Sequence, residues 1–144
     1  MWEEDEELRE ILRRKARSIA EESTRCCRGS WGEGVVELYY PEDLKGFIES
    51  CKVAFVFFYT PTCPYCKMLL PLYEETAMYY SGKAGFAKLN LARMPFISDA
   101  FNILGTPTII IFVRGREAGR IMGLVDGEKL ERVVERALSI AGCN

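Results

Sequence analysis

The run Val53-Ala54-Phe55-Val56-Phe57-Phe58-Tyr59 constrains this chain more than any other stretch. Seven residues without a charge suit a strand buried on both faces, which requires a sheet covered on both sides. Next come Thr60-Pro61-Thr62, then Cys63-Pro64-Tyr65-Cys66, then Lys67-Met68-Leu69-Leu70-Pro71. That order reads as a strand, a short turn and a helix that begins at the cysteine pair. Two thiols separated by two residues can close a small disulfide ring there. The N–H groups and partial positive charge of the helix start stabilise a thiolate at the same place. By itself the spacing supports two chemistries, dithiol–disulfide exchange or half of a thiolate metal site.

Composition narrows the choice. The chain has no histidine, which removes His-based acid–base catalysis, Cys–His nucleophile pairs and Cys/His zinc sites. There is no second Cys-x-x-Cys, so a metal would need Cys26 and Cys27 as its other half. No metal is expected. A length of 144 residues fits one domain with a sizeable core. A net charge of −2 favours neither nucleic acid nor a membrane as partner. The acidic start, Met1-Trp2-Glu3-Glu4-Asp5-Glu6-Glu7, has neither a basic nor an apolar signal region, so a cytoplasmic protein is expected. Glutamine is absent and charge rests largely on Glu and Arg, which points to a thermophile. Hyperthermophile cytosols can maintain structural disulfides, so the four cysteines outside the motif need not be free.

Apolar Leu8, Ile11, Leu12, Ala16, Ile19 and Ala20 predict an amphipathic helix over 3–22, with its stripe expected to dock on the domain and dimerisation or a partner as the alternatives. A glycine-punctuated linker follows, and the boundary divides 1–34 from a domain over 35–144. Strands are predicted at Val35–Tyr39, Lys52–Tyr59, Gly85–Leu91, Thr108–Val113 and near Arg120–Met122. Helices are predicted at 41–50, 64–80 with a kink at Pro71, near 96–102, and after a cap at Asp126. Alternation followed by a terminal hairpin indicates an α/β protein. The expected core is a mixed four- to five-stranded sheet with helices on both faces, plus the extra N-terminal helix.

The segment Phe58-Tyr59-Thr60-Pro61-Thr62-Cys63-Pro64-Tyr65-Cys66-Lys67-Met68 closely resembles the active-site segment of the thioredoxin superfamily. Pro71 coincides with the family's helix proline, and Lys88-Leu89-Asn90 resembles its third-strand motif. Gly105-Thr106-Pro107-Thr108 looks like the family's cis-proline loop, and Gly115 and Gly123 match two of its glycines. The resemblance covers roughly Val35 to Ala141 and implies a thioredoxin fold. It also implies a protein disulfide oxidoreductase without a separate cofactor, acting on protein disulfides and reduced by a thioredoxin-reductase-like donor. A monomer or weak dimer is expected. Two positions depart from the pattern: Phe57 stands where thioredoxins carry a buried aspartate, and Cys-Pro-Tyr-Cys is the tetrapeptide typical of glutaredoxins. The alternatives are therefore a glutathione-linked glutaredoxin-like enzyme and a non-catalytic thioredoxin-fold interaction module.

What the resemblance implies for individual residues is as follows. Cys63 is the attacking thiolate and Cys66 the resolving thiol. Pro61, Tyr65, Thr106, cis Pro107 and Gly123 line the substrate groove. Lys88 and Phe57 tune proton affinity at the pair, and Lys88 without an acid partner makes the couple more oxidising than a typical thioredoxin. Cys26, Cys27, Cys51 and Cys143 fall at the sheet end opposite the site, where a structural disulfide ties the N-terminal extension to the domain, with the pairing open.

Overall fold

The computed structural model of the protein describes residues 6–15 and 26–143. Residues 6–15 form a helix, α1, and the rest of the helix predicted over 3–22 lies outside the described residues. A single 3₁₀ turn, Gly29–Gly32, leads into β1 (Val35–Leu38), α2 (Pro41–Ser50) and β2 (Val53–Tyr59). Then come α3 (Pro64–Tyr79), β3 (Gly85–Asn90), α4 (Pro95–Ala100), β4 (Thr108–Val113), β5 (Arg116–Met122) and α5 (Gly127–Ala141).

The five strands lie in the order β1-β3-β2-β4-β5, which puts the apolar run of β2 at the centre. It pairs in parallel with β3 and antiparallel with β4, so Phe55 lies between Phe86 and Ile111. Alternate residues serve opposite faces. Phe55 and Phe57 enter a cluster with Leu69 and Tyr73 of α3 and Leu130 and Val134 of α5. Ala54, Val56 and Phe58 enter a second cluster with Leu44 and Phe47 of α2 and Ile97 of α4. Both faces are covered, and six of the seven β2 residues are buried.

Local chemistry fixes the ends of these elements. Helix α2 starts with Pro41, and the Asp43 carboxylate accepts from the backbone N–H groups of Tyr39 and Tyr40, each at 3.0 Å. Helix α5 starts at Asp126, whose carboxylate accepts from Lys129 N–H at 2.8 Å. It stops at Gly142, which adopts φ 74° as left-handed helix ends require. Pro71 lies inside α3, which nevertheless continues to Tyr79. The single Tyr73 hydroxyl proton is shared between the carbonyls of Phe55 and Ala87, tying α3 to β2 and β3.

Two predicted features need correction. Strand β5 begins at Arg116 rather than near Arg120. Arg114 and Gly115 both take positive φ, 53° and 83°, so a two-residue turn sends the chain straight back along β4. The predicted apolar stripe is undocked along α1, where Leu8, Ile11 and Leu12 are each about half exposed; Ala16, Ile19 and Ala20 lie outside the described residues. The two sheet faces are already covered, one by α3 and α5 and the other by α2 and α4.

Candidate functional site

Cys63 ends the turn after β2 and is the N-cap of α3. Its backbone N–H donates to Thr60 C=O at 3.2 Å, which closes the turn. Pro64 follows at the first helical position, where a missing N–H has no cost. The Cys66 N–H donates to Cys63 Sγ at 3.2 Å. Cys63 and Cys66 are joined as a disulfide, with Cα atoms 5.2 Å apart. Cys63 is 9% exposed and Cys66 3%, so the first residue of the pair is the more accessible.

Register brings the other residues to the same end of the sheet. Thr108 opens β4 opposite Phe58 near the end of β2, and Met122 of β5 lies opposite Thr108. The Thr106–Pro107 peptide bond just before β4 is cis. The Thr108 hydroxyl donates to Gly105 C=O at 2.6 Å, and Gly123 N–H donates to Pro107 C=O at 2.9 Å. Gly123 has φ 81°, a conformation that leaves its N–H free to reach back across the loop. Thus Pro61, Cys63, Tyr65, Cys66, Thr106, Pro107 and Gly123 gather at one end. Pro61 and Tyr65 are exposed, Thr106 is half-buried and Pro107 is buried.

Beside this loop lies a depression of about 280 Å³, lined by uncharged residues that include Thr60, Leu91, Ile103, Leu104 and Thr106. Tyr65, Met68, Leu104, Met122 and Leu124 are exposed apolar side chains on the segments around it. Such a surface suits an extended, weakly charged peptide segment.

Phe57 is buried in the cluster that contains Cys63 and Cys66. Lys88 is its Cα partner on β3, and the Lys88 ammonium lies 5.8 Å from the centroid of the Tyr59 ring. Sequence reasoning missed Glu37, the Cα partner of Lys88 on β1, and so treated Lys88 as unopposed. The Tyr59 hydroxyl donates to Glu37 Oε1 at 2.5 Å. Burial first, and then the Glu37 carboxylate, push the Tyr59 phenol well above its ordinary range. The available signal was an acid on a strand otherwise apolar, Val35-Val36-Glu37-Leu38.

The remaining cysteines occupy the far end of the sheet. Cys26 is bonded to Cys143, and Cys27 to Cys51. Cys27 and Cys51 also form an antiparallel bridge, with Lys52 N–H donating to Cys26 C=O and Arg28 N–H to Ser50 C=O. All four are buried. Cys26 and Cys27 therefore sit away from Cys63 and Cys66 and are engaged elsewhere, so the two halves of the hypothetical metal site do not meet. Among the described residues no group of three or more metal-ligating side chains of His, Cys, Asp or Glu converges. No helix among them is long and apolar enough to cross a membrane.

Comparison with known proteins gives a consistent picture. The family model described as Thioredoxin matches residues 36–136. The thioredoxin of Staphylococcus saprophyticus is 35% identical over 86 residues, 60% of this chain and 83% of that protein. The chloroplastic M-type thioredoxin of Spinacia oleracea is 34% identical over 110 residues, 76% of this chain. The chain spans about half the length of the chloroplastic relatives it matches, 54% of the spinach protein and 47% of one from Arabidopsis thaliana. A solved structure of a mutant thioredoxin from Halobacterium salinarum superimposes with a TM-score of 0.70 at 24% identity. That match covers 76% of this chain and 95% of the other, and it bears on the fold.

Proposed function

The chain belongs to the thioredoxin family, and from that premise we propose that it is a protein thiol–disulfide oxidoreductase working through Cys63 and Cys66. The observation that carries the reading is the Cys63–Cys66 disulfide at the start of α3, at the same sheet end as cis Pro107. In the reducing direction the Cys63 thiolate attacks one sulfur of a substrate disulfide. A Cys63–substrate mixed disulfide forms and the other substrate sulfur leaves as a thiolate. Cys66, deprotonated, then attacks Cys63 Sγ. The Cys63–Cys66 disulfide re-forms, the second substrate sulfur leaves, and two electrons have passed to the substrate. The electron pair resides on these two sulfurs, so no separate cofactor is called for.

The substrate class we assign is an extended protein segment bearing a disulfide. The uncharged depression beside Thr106 and the exposed Tyr65, Met68 and Leu104 support it. A thioredoxin-reductase-like enzyme is the proposed electron donor, and the Cys-Pro-Tyr-Cys tetrapeptide makes glutathione the competing one. The same reading takes the chain as a monomer or weak dimer from the cytoplasm of a thermophile. It treats 1–34 as an N-terminal extension to the catalytic domain. The absence of glutamine supports the thermophile reading, under which structural disulfides such as Cys26–Cys143 and Cys27–Cys51 persist in the cytosol.

Insulin reduction driven by dithiothreitol tests the activity, with Cys63→Ser expected to abolish it. Activity surviving in that variant would remove the reading. Cys66→Ser should accumulate mixed disulfides with substrate. Replacing dithiothreitol by thioredoxin reductase with NADPH, or by glutathione with its reductase, separates the two donors.

A further inference from the structure

Glu37 and Lys88 are the only charged side chains on strands β1 to β4. Glu37, Lys88 and Phe57 occupy matched positions on adjacent strands β1, β3 and β2. Matched positions share a face, so the three form a row across the sheet on the side that α3 covers. Phe57 at the end of that row belongs to the apolar cluster of Cys63 and Cys66. Tyr59, two residues further along the same face, links the charges. Its ring faces the Lys88 ammonium and its hydroxyl binds Glu37 Oε1. The other carboxylate oxygen, Oε2, is buried with no hydrogen-bond partner among the described residues. A buried acceptor left unmet is unfavourable, and an apolar residue would pack this strand at lower cost. Glu37 therefore calls for a reason other than packing.

We infer that Glu37 and Lys88, bridged by Tyr59, form a charge pair that sets the redox equilibrium of Cys63–Cys66 by acting in opposite directions. The inference rests on the exchange chemistry proposed above. Reduction by glutathione converts the Cys63–Cys66 disulfide into a dithiol, with two glutathiones leaving as one glutathione disulfide. The reduced state carries thiolate charge that the oxidised state lacks. A carboxylate across the sheet opposes that charge, and an ammonium supports it. Phe57, buried at the β2 end of the row, excludes solvent on that side and so limits screening there. Lys88 alone would make the couple more oxidising, and Glu37 counters it from β1. Both act as positioning residues, through the field at the sulfurs. Tyr39 and Arg93 flank the array, with the Arg93 guanidinium 5.7 Å from the Tyr39 ring centroid. Both are exposed, where water screens their effect.

The test is equilibration of wild type, Glu37→Gln, Lys88→Met and the double variant with glutathione buffers at neutral pH. The Cys63–Cys66 fraction is read by alkylation and peptide mass spectrometry. Glu37→Gln should shift the equilibrium constant about three- to tenfold toward the dithiol, tenfold being about 30 mV for this two-electron couple. Lys88→Met should shift it by a similar factor toward the disulfide, and the double variant should return to within about twofold of wild type. If Glu37→Gln does not fold, Lys88→Glu replaces it and should move the couple further toward the disulfide than Lys88→Met. Shifts in the same direction, or none beyond about twofold, overturn the inference while wild-type exchange still stands. A wild type whose Cys63–Cys66 pair does not respond to the buffers at all overturns the exchange chemistry itself.

Discussion

The Cys66 N–H is aimed at the Cys63 sulfur from 3.2 Å, so a free donor of the helix start meets the atom that becomes charged when the disulfide opens. Cys63 is also the more exposed residue of the pair. In the reduced protein, iodoacetamide should therefore modify Cys63 at least about tenfold faster than Cys66. Peptide mapping after short exposures reads the ratio. Equal rates would show that the helix start does not distinguish the two sulfurs.

The two buried disulfides close loops of very different length, 117 residues for Cys26–Cys143 and 24 for Cys27–Cys51. Chain-entropy reasoning assigns about 5 kcal/mol to the first and about 3.5 kcal/mol to the second. Cys143→Ser should thus lower unfolding stability more than Cys51→Ser, measured by denaturant titration with the other bonds intact. Insulin turnover at low temperature should stay near wild type in both. The reverse order of stabilities would mean that native packing around Cys51 outweighs loop length.

Gly85 has no space for a side chain. A Cβ there would lie 2.5 Å from Cys51 Sγ and 2.8 Å from the Phe47 ring, and both residues are buried. The sulfur is held in its disulfide and the ring in the core, so neither yields cheaply. Gly85→Ala should destabilise by about 1–3 kcal/mol in a thermal or denaturant melt. Gly119, with nothing near its Cβ position, is the matched control and should change stability far less on substitution by alanine.

Arg120 on β5 donates to Glu117 and to the carbonyls of Phe101 and Asn102, just before the loop that carries Pro107. The hydrogen bond from Arg120 holds the Glu117 carboxyl below its ordinary 4.5, against the opposing effect of burial. The folded value is the lower one, so the stabilisation is full above the unfolded value and is lost as pH falls through the folded one. Arg120→Met should cost about 1 kcal/mol at neutral pH. The gap between wild type and variant should narrow below pH about 4. Acid titrations of unfolding stability check this, and a gap independent of pH would place the effect in the carbonyl contacts alone.

Much of the architecture was legible in local patterns. The uncharged β2 run, the Cys63 turn, the Asp126 cap and the β-branched β4 each specify their element without distant help. Strand β5 was harder, because Arg116-Glu117-Ala118-Gly119 has weak strand preference and becomes strand by pairing with β4. The partners of Cys26 and Cys27 were beyond local reading, since two adjacent cysteines serve different elements that only the folded topology brings near. Glu37 was hidden for a related reason. Its partner Tyr59 lies 22 residues away, and an isolated acid on a short strand looks like an ordinary solvent-facing residue.

The Cys26–Cys143 bond also changes what a single cut in the backbone can do. Residues 26 to 143 form a closed covalent ring, with helix α1 outside it as a tail. A protease that nicks the exposed Arg114–Gly115 hairpin opens the ring without releasing a fragment, so the two pieces stay one covalent molecule, heavier only by the water of hydrolysis, until a reductant is added. Cys63 and Cys66 lie within that ring, so the segments flanking the reacting sulfurs stay tethered on both sides of such a nick.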